Sequence, residues 1–249
     1  MSDDLTSLIH SHSADELRRA AADAALSEEL ALALLERRDL PPESLEALSK
    51  NVPALQSRRV LLAMLAHPKA PRHVSLPAIR HLYTFELMQL ALSPTVLADI
   101  KKAAEETLVA RLEKITLGER STLARRASGR VAAALLLDPE PRVVEAAVAN
   151  PFLTEVLVVR ALLSEKASAS LLEMLCKDGK WSLRREVRIA LLRNPQTPAQ
   201  PAAEFAHSLP SGVLHEMLQD SRLPESARAR VQQELESREK EEGKADSAI

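Results

Sequence analysis

Cations carry the densest chemistry in this chain of 249 residues. Arg120, Arg125, Arg126 and Arg130 form one cluster, and Lys177, Lys180, Arg184, Arg185, Arg188 and Arg193 form another. Groups of this kind take phosphates or carboxylates, the guanidinium as a planar fork and the ammonium as a point charge. If the intervening chain brings both clusters to one face, they make a positive strip able to hold phosphates or an acidic partner. The simpler reading is a solvated face with local pairs to neighbours such as Glu186. Trp181 stands among the second cluster, and as the sole tryptophan it reads as a packing anchor between repeats rather than a platform for a stacked base.

The other reactive side chains fall short of a catalytic or metal set. Cys176 lies beside Lys177 and close to Lys180, and adjacent cations lower a thiol pKa. A nucleophile also needs a base and an orienting third group, and none is legible, so Cys176 reads as a small packing residue. His10 and His12 make the one close histidine pair, in a segment expected to be mobile and without the further ligands that zinc requires. His67 reads as a turn residue. His73 and His81 stand two helical turns apart with Pro77 between them, and His207 and His215 read as helix residues at or near the surface. None of the five glycines falls into a phosphate-loop, dinucleotide or nucleophile-elbow pattern. No catalytic residue, metal ligand or cofactor is expected.

Composition narrows the class further. A net charge of −2 with 27% charged residues implies no global pull toward nucleic acid or an anionic membrane. One Trp, one Tyr and three Phe are few for a site that must stack bases. A single cysteine excludes an intramolecular disulfide framework and fits a reducing compartment. Met1 is followed by Ser-Asp-Asp rather than a basic and then apolar leader, and no window approaches the ~20 apolar residues of a membrane span, so a cytoplasmic protein without a membrane partner is expected.

The side chains must be positioned by short helices and prolyl corners. Residues 59–71, 142–154 and 186–198 repeat one phrase, an apolar helical turn or two stopped at His67-Pro68, Asn150-Pro151 and Asn194-Pro195. Proline cannot continue a helix and pushes the residue before it out of the helical region, so His67, Asn150 and Asn194 leave the helix. Pro71, Thr154 and Pro198 follow where a new helix can start. Val143, Val187 and Val231 recur every 44 residues, and Val231 opens a helix without a prolyl corner, as the terminal cap of a repeat array does. A second echo pairs Glu173-Met174-Leu175 with Glu216-Met217-Leu218.

Asp138-Pro139-Glu140-Pro141-Arg142-Val143, leading into Ala146-Ala147-Val148-Ala149-Asn150-Pro151, resembles the HEAT/armadillo class of α-helical repeats. Asn194-Pro195-Gln196-Thr197-Pro198 is closest to the leucine-rich-repeat-variant subgroup. The likeness covers about 131–235, is fainter over 27–95, and is broken by 96–130. The iron–sulfur module found in some members of that subgroup needs a cysteine cluster, and with Cys176 alone this cofactor does not carry over. The resemblance implies an all-α, right-handed α-helical repeat solenoid, an α-α superhelix. It further implies a non-enzymatic scaffold that binds a protein or peptide partner on its concave surface. Two other readings stay open: nucleic-acid binding through the basic strip, in the manner of the HEAT-like DNA glycosylases, and modification of a protein partner by a HEAT-like lyase or hydrolase, with Cys176 the one available thiol.

The expected organisation is a flexible N-terminus at 1–12, one repeat domain at 13–238 with its clearest repeats at 131–238, and a disordered charged tail at 239–249. Ser13 and Glu16 suggest a capping box for the first helix. Single helices are expected at 55–66, at 72–92 with a break or kink near Pro77, and at 94–116. The last has the longest uninterrupted pattern, ends at Gly118 and could serve as a spine.

Overall fold

Capping residues and prolines cut the chain into helices of mostly eight to ten residues, too short to persist alone in water, so each depends on its neighbours. The computed structural model describes residues 2–221 and 223–246, and among them every regular element is a helix. None of these helices is long and apolar enough to cross a membrane. The chain divides into two compact units, 1–115 and 116–249. The first holds α1 (Ser2–Ile9), α2 (Ala14–Ala22), α3 (Glu28–Glu36), α4 (Pro42–Ser49), α5 (Val52–Gln56), α6 (Arg58–Ala66), α7 (Arg72–Ile79), α8 (Thr84–Leu92) and α9 (Ala98–Arg111), with a 3-10 turn at Leu112–Lys114. The second holds α10 (Leu117–Arg126), α11 (Gly129–Leu135), α12 (Pro141–Val148), α13 (Glu155–Leu162), α14 (Ala169–Lys177), α15 (Arg185–Arg193), α16 (Ala199–Ser208), α17 (Ser211–Gln219) and α18 (Glu225–Asp246).

Within each unit the helices run in interleaved rows. In the first, α1 packs on α3, α3 on α6 and α6 on α8, while α2 packs on α4 and α7 on α9. In the second, α10, α12 and α14 form one row and α11, α13 and α15 another, and α16 and α17 close on α18. Leu, Ala and Val fill the space between rows: Leu34, Leu48 and Leu87 in the first unit, and Leu123, Val143 and Val158 in the second, are fully inaccessible. Each such side chain contributes about 1.5–3 kcal/mol of transfer free energy.

The helix ends explain the corners. The last four carbonyls of a helix lack an internal partner, and a glycine in the left-handed region usually ends the helix and satisfies them. Among the described residues none has positive φ. His67 leaves its helix with φ −71°, ψ 135° and Asn194 with φ −86°, ψ 122°, as their prolines require. Carbonyls near the corners are taken instead by donors from the next helix pair. In the first unit the Arg37 guanidinium donates to Ile9 O (2.7 Å) and Ser11 O (2.8 Å), and Thr95 Oγ1 donates to Ala66 O (2.9 Å). His67 Nε2 lies 3.2 Å from Arg37 O, and Nδ1 accepts from Lys69 N–H (3.1 Å), which makes Nε2 the protonated nitrogen and the donor. At the other end, Asn51 Nδ2 donates to Ala21 O (3.0 Å) and Asp23 O (2.9 Å), and Arg111 donates to Leu82 O (2.7 Å). In the second unit Asn150 Nδ2 donates to Ala124 O (2.7 Å) and Ala127 O (3.1 Å), Trp181 Nε1 to Val148 O (3.1 Å), and Asn194 Nδ2 to Leu162 O (3.2 Å).

Several expectations change. Residues 2–9 form α1, because Leu5 and Ile9 share a face that is buried. The helix α18 continues through 239–246, where a disordered tail is expected; Met1 and 247–249 lie outside the described residues. Ser57, whose side chain accepts from Val60 N–H, splits 55–66 between α5 and α6. The 72–92 stretch is two helices parted at 80–83, with Pro77 inside α7. The break is set by the Glu86 carboxylate, which accepts Tyr83 N–H at 2.7 Å. The 94–116 pattern holds α9 and a 3-10 turn, and α18 is longer, at 22 residues against 14. Thr116 caps α10, so Gly118 lies inside that helix rather than ending the previous one. Ser13 makes no side-chain cap, and Glu16 instead accepts the Ser11 hydroxyl. Val143, Val187 and Val231 are all fully buried, yet they lie on α12, α15 and α18, three helices apart, whereas row partners in these rows are two apart. The 44-residue echo therefore marks equivalent core positions rather than stacked neighbours.

Replacing Asn150 with Ala leaves two buried carbonyls unpaired and should lower the stability of the second unit by about 2–4 kcal/mol in chemical denaturation, whereas Asn194→Ala, at a half-buried site with one such carbonyl, should cost about 1 kcal/mol. Burial, the largest influence, and then the nearby Lys69 charge hold the His67 pKa below its ordinary 6.5, against the opposing Arg37 carbonyl. The unfolded chain thus binds the proton more readily, and the stability His67 confers is complete above about pH 6.5 and lost as pH falls. Melting curves across that range should show this slope, and His67→Asn, which has no titrating group, should flatten it.

Candidate functional site

Corner stacking brings three segments of the second unit, 124–130, 148–156 and 178–188, into register. Asn150 ties the second to the first and Trp181 ties the third to the second through the bonds given above. A Cβ added at Gly129 would lie 2.2 Å from Phe152 O, so the start of α11 and the Phe152 backbone touch where only glycine fits. Trp181 is 2% exposed, and the Lys180 ammonium sits 4.0 Å above its ring. The indole therefore belongs to the scaffold and offers no face to a base.

Packing divides the predicted cations. Arg120 Nε lies 2.9 Å from the largely buried Asp138 carboxylate, a pair that braces α10 against the corner before α12. Arg188 turns inward, donating to Ser182 O (2.6 Å) and Ser208 Oγ (3.0 Å), with its guanidinium 5.8 Å from the Phe205 ring centre. Arg193 pairs with Asp220 at 3.4 Å from the last turn of α15, beside the Asn194 corner and so in the other stack. Lys177 faces Glu173 at 3.8 Å across solvent. Arg125, Arg126 and Arg130 at the first corner, and Lys180, Arg184 and Arg185 at the third, are exposed, on the stack of corners that Asn150 and Trp181 tie together. The two clusters are thus joined in part, with the middle corner between them.

That middle corner carries what sequence reading missed. Phe152 is 52% exposed and Val156 68%, and Leu183 beside the third corner is 68% exposed. A signal existed: the buried face of α13 is Val158, Ala161 and Leu162, and Val156 falls out of phase with it. Three acidic side chains belong to these segments: Glu155, Glu186 and Asp178, the last of which accepts the Lys180 and Trp181 N–H groups. In the first unit the arginines that open α6 are neutralised. Arg59 meets Glu28 at 2.6 Å, and Arg58 binds Glu86 while its guanidinium lies 4.0 Å from the Tyr83 ring centre. The Arg58 hydrogen bond holds the Glu86 carboxyl below its usual range.

Other candidates do not assemble. No group of three or more His, Cys, Asp or Glu side chains converges among the described residues. His10 and His12 are exposed; His73 faces Glu46 at 3.5 Å and His207 faces Glu234 at 3.0 Å. An open groove of about 590 Å³ between α2 and α4 is walled by Arg18, Arg19, Glu43, Glu46 and Lys50, so charges of both signs alternate along it. No protein-family model matches the chain, and no curated protein or solved structure is significantly similar to it. Cys176 is half-buried, and burial, then the Glu173 charge, push its thiol up to about 11 despite Lys177. Its thiolate is scarce at neutral pH, and alkylation of the native protein should run at least about tenfold slower than that of a free cysteine, followed by mass spectrometry.

Proposed function

We propose that this protein is a non-enzymatic α-helical repeat scaffold, a right-handed solenoid of the HEAT/armadillo kind, that binds a protein or peptide partner. The observation that carries this reading is the exposure of Phe152, Val156 and Leu183 among Arg125, Arg126, Arg184 and Arg185 on one pinned row of corners. Apolar groups held in water on a rigid frame gain by meeting a dry surface, and arginine is a favoured residue at such contacts. Interleaved rows, each capped by the next helix pair, support the solenoid. Donor and acceptor lie 23 to 33 residues apart, below the ~40–47 of a HEAT/armadillo unit, so the likeness rests on the corners rather than on repeat length. The corner edge takes the role first expected of a concave face. A lone, half-buried cysteine suits a reducing cytoplasm.

Nucleic-acid binding is the weaker reading, since a phosphate-facing strip would leave Phe152 and Val156 against charge and Trp181 is buried. Partner capture on immobilised protein, with and without nuclease and at low and high salt, separates the two. A discrete protein that survives nuclease is expected; loss of all captured material on nuclease treatment would overturn the scaffold reading.

A further inference from the structure

Resting on the scaffold reading, we propose that the stacked-corner edge of the second unit binds an acidic peptide segment in which two carboxylate clusters bracket a short apolar stretch. The order along the edge is Arg125 and Arg126, then Phe152 and Val156, then Leu183 with Arg184 and Arg185. The hydrogen bonds from Asn150 and Trp181 fix that order, because each joins one corner to the next. Adjacent packed helices stand about 8–10 Å apart, which puts the two arginine patches about 16–20 Å apart. An extended chain advances about 3.3 Å per residue, so the carboxylate clusters would be separated by about five or six residues, with apolar side chains between them on Phe152 and Val156.

Three features select a peptide over other anions. The central corner is apolar and 52–68% exposed, which calls for carbon rather than phosphate opposite it. Guanidinium groups at both ends match carboxylates in a bidentate way. Glu155 and Glu186 share the edge, and a uniform anionic surface, whether a duplex or a vesicle, would press charge against them, while a peptide can place neutral or donor groups there. The first unit shows the contrast: the two arginines that open α6, Arg58 and Arg59, are already paired with Glu86 and Glu28.

The test is fluorescence anisotropy on the full chain with a labelled peptide of two acidic residues, a short middle bearing Phe and Leu, and two more acidic residues. Saturable binding is expected, weakened about tenfold or more by replacing the middle Phe and Leu with Ser, by replacing the acids with Gln, or by raising salt. The same loss is expected for R184E/R185E and for F152S/V156S; both alter exposed residues, and unchanged melting curves would show that they fold. R59E in the first unit should bind as wild type. Binding that ignores these edge variants, or the Ser peptide binding as well as the parent, would overturn the proposal. So would tighter, edge-dependent binding of a DNA duplex or of phosphatidylserine vesicles. A dimer seen by light scattering and lost in R184E/R185E would assign the edge to a second copy and overturn it as well. If R184E/R185E still captures a nuclease-resistant protein, this inference fails while the scaffold reading stands; if nothing nuclease-resistant is captured by wild type, the scaffold reading itself fails.

Discussion

The carbonyl groups at the ends of the helices are the constraint on which the rest depends. A chain of short helices makes many such ends, and each leaves acceptors that water or a donor must satisfy. With five glycines in the chain and no positive φ among the described residues, the usual left-handed cap is not used. Instead Asn51, His67, Thr95, Asn150, Trp181 and Asn194 reach back to the preceding pair and donate to its corner. Side chains as unlike as an amide, an imidazole, a hydroxyl and an indole serve because each places one N–H or O–H at the right reach. Burial of leucine and alanine holds the helices together without direction, while these bonds choose which corner sits on which.

Pinned corners convert a helical stack into a defined surface. In the second unit they set an apolar corner between two arginine-bearing ones, and no long loop is left to cover it. The first unit handles the same geometry differently, using Glu28 and Glu86 to consume Arg59 and Arg58. Equivalent frames therefore present different electrostatics, and the difference comes from a few side chains at helix starts. On the proposed scaffold reading, partner choice is a matter of edge residues more than of fold, because the frame underneath tolerates any residue that points to solvent.

Much of the frame was legible in the residues. Prolines after His67, Asn150 and Asn194 dictated where helices stop, and the 3.6-residue spacing of Leu, Ala and Val marked their buried faces. The site was half legible: Arg125, Arg126, Arg184 and Arg185 stand out by type, but nothing local shows that Arg188 turns inward to Ser182 or that Arg120 is taken by Asp138. Phe152, Val156 and Leu183 look like core residues until the packing of their turns and of α13 is known.

By itself, the sequence determined the helical class, the prolyl corners and the residue types able to cap them, because these follow from backbone sterics and from periodicity within a dozen residues. Tertiary structure alone decided which helices are neighbours. The 44-residue echo joins Val143 to Val187 across three helices, whereas packing joins helices two apart, since an antiparallel pair must close before the next can stack on it. That choice places Asn150 and Asn194 in different stacks of corners despite their identical local phrase, and it sets Arg125 and Arg185 along one edge although some sixty residues of chain lie between them.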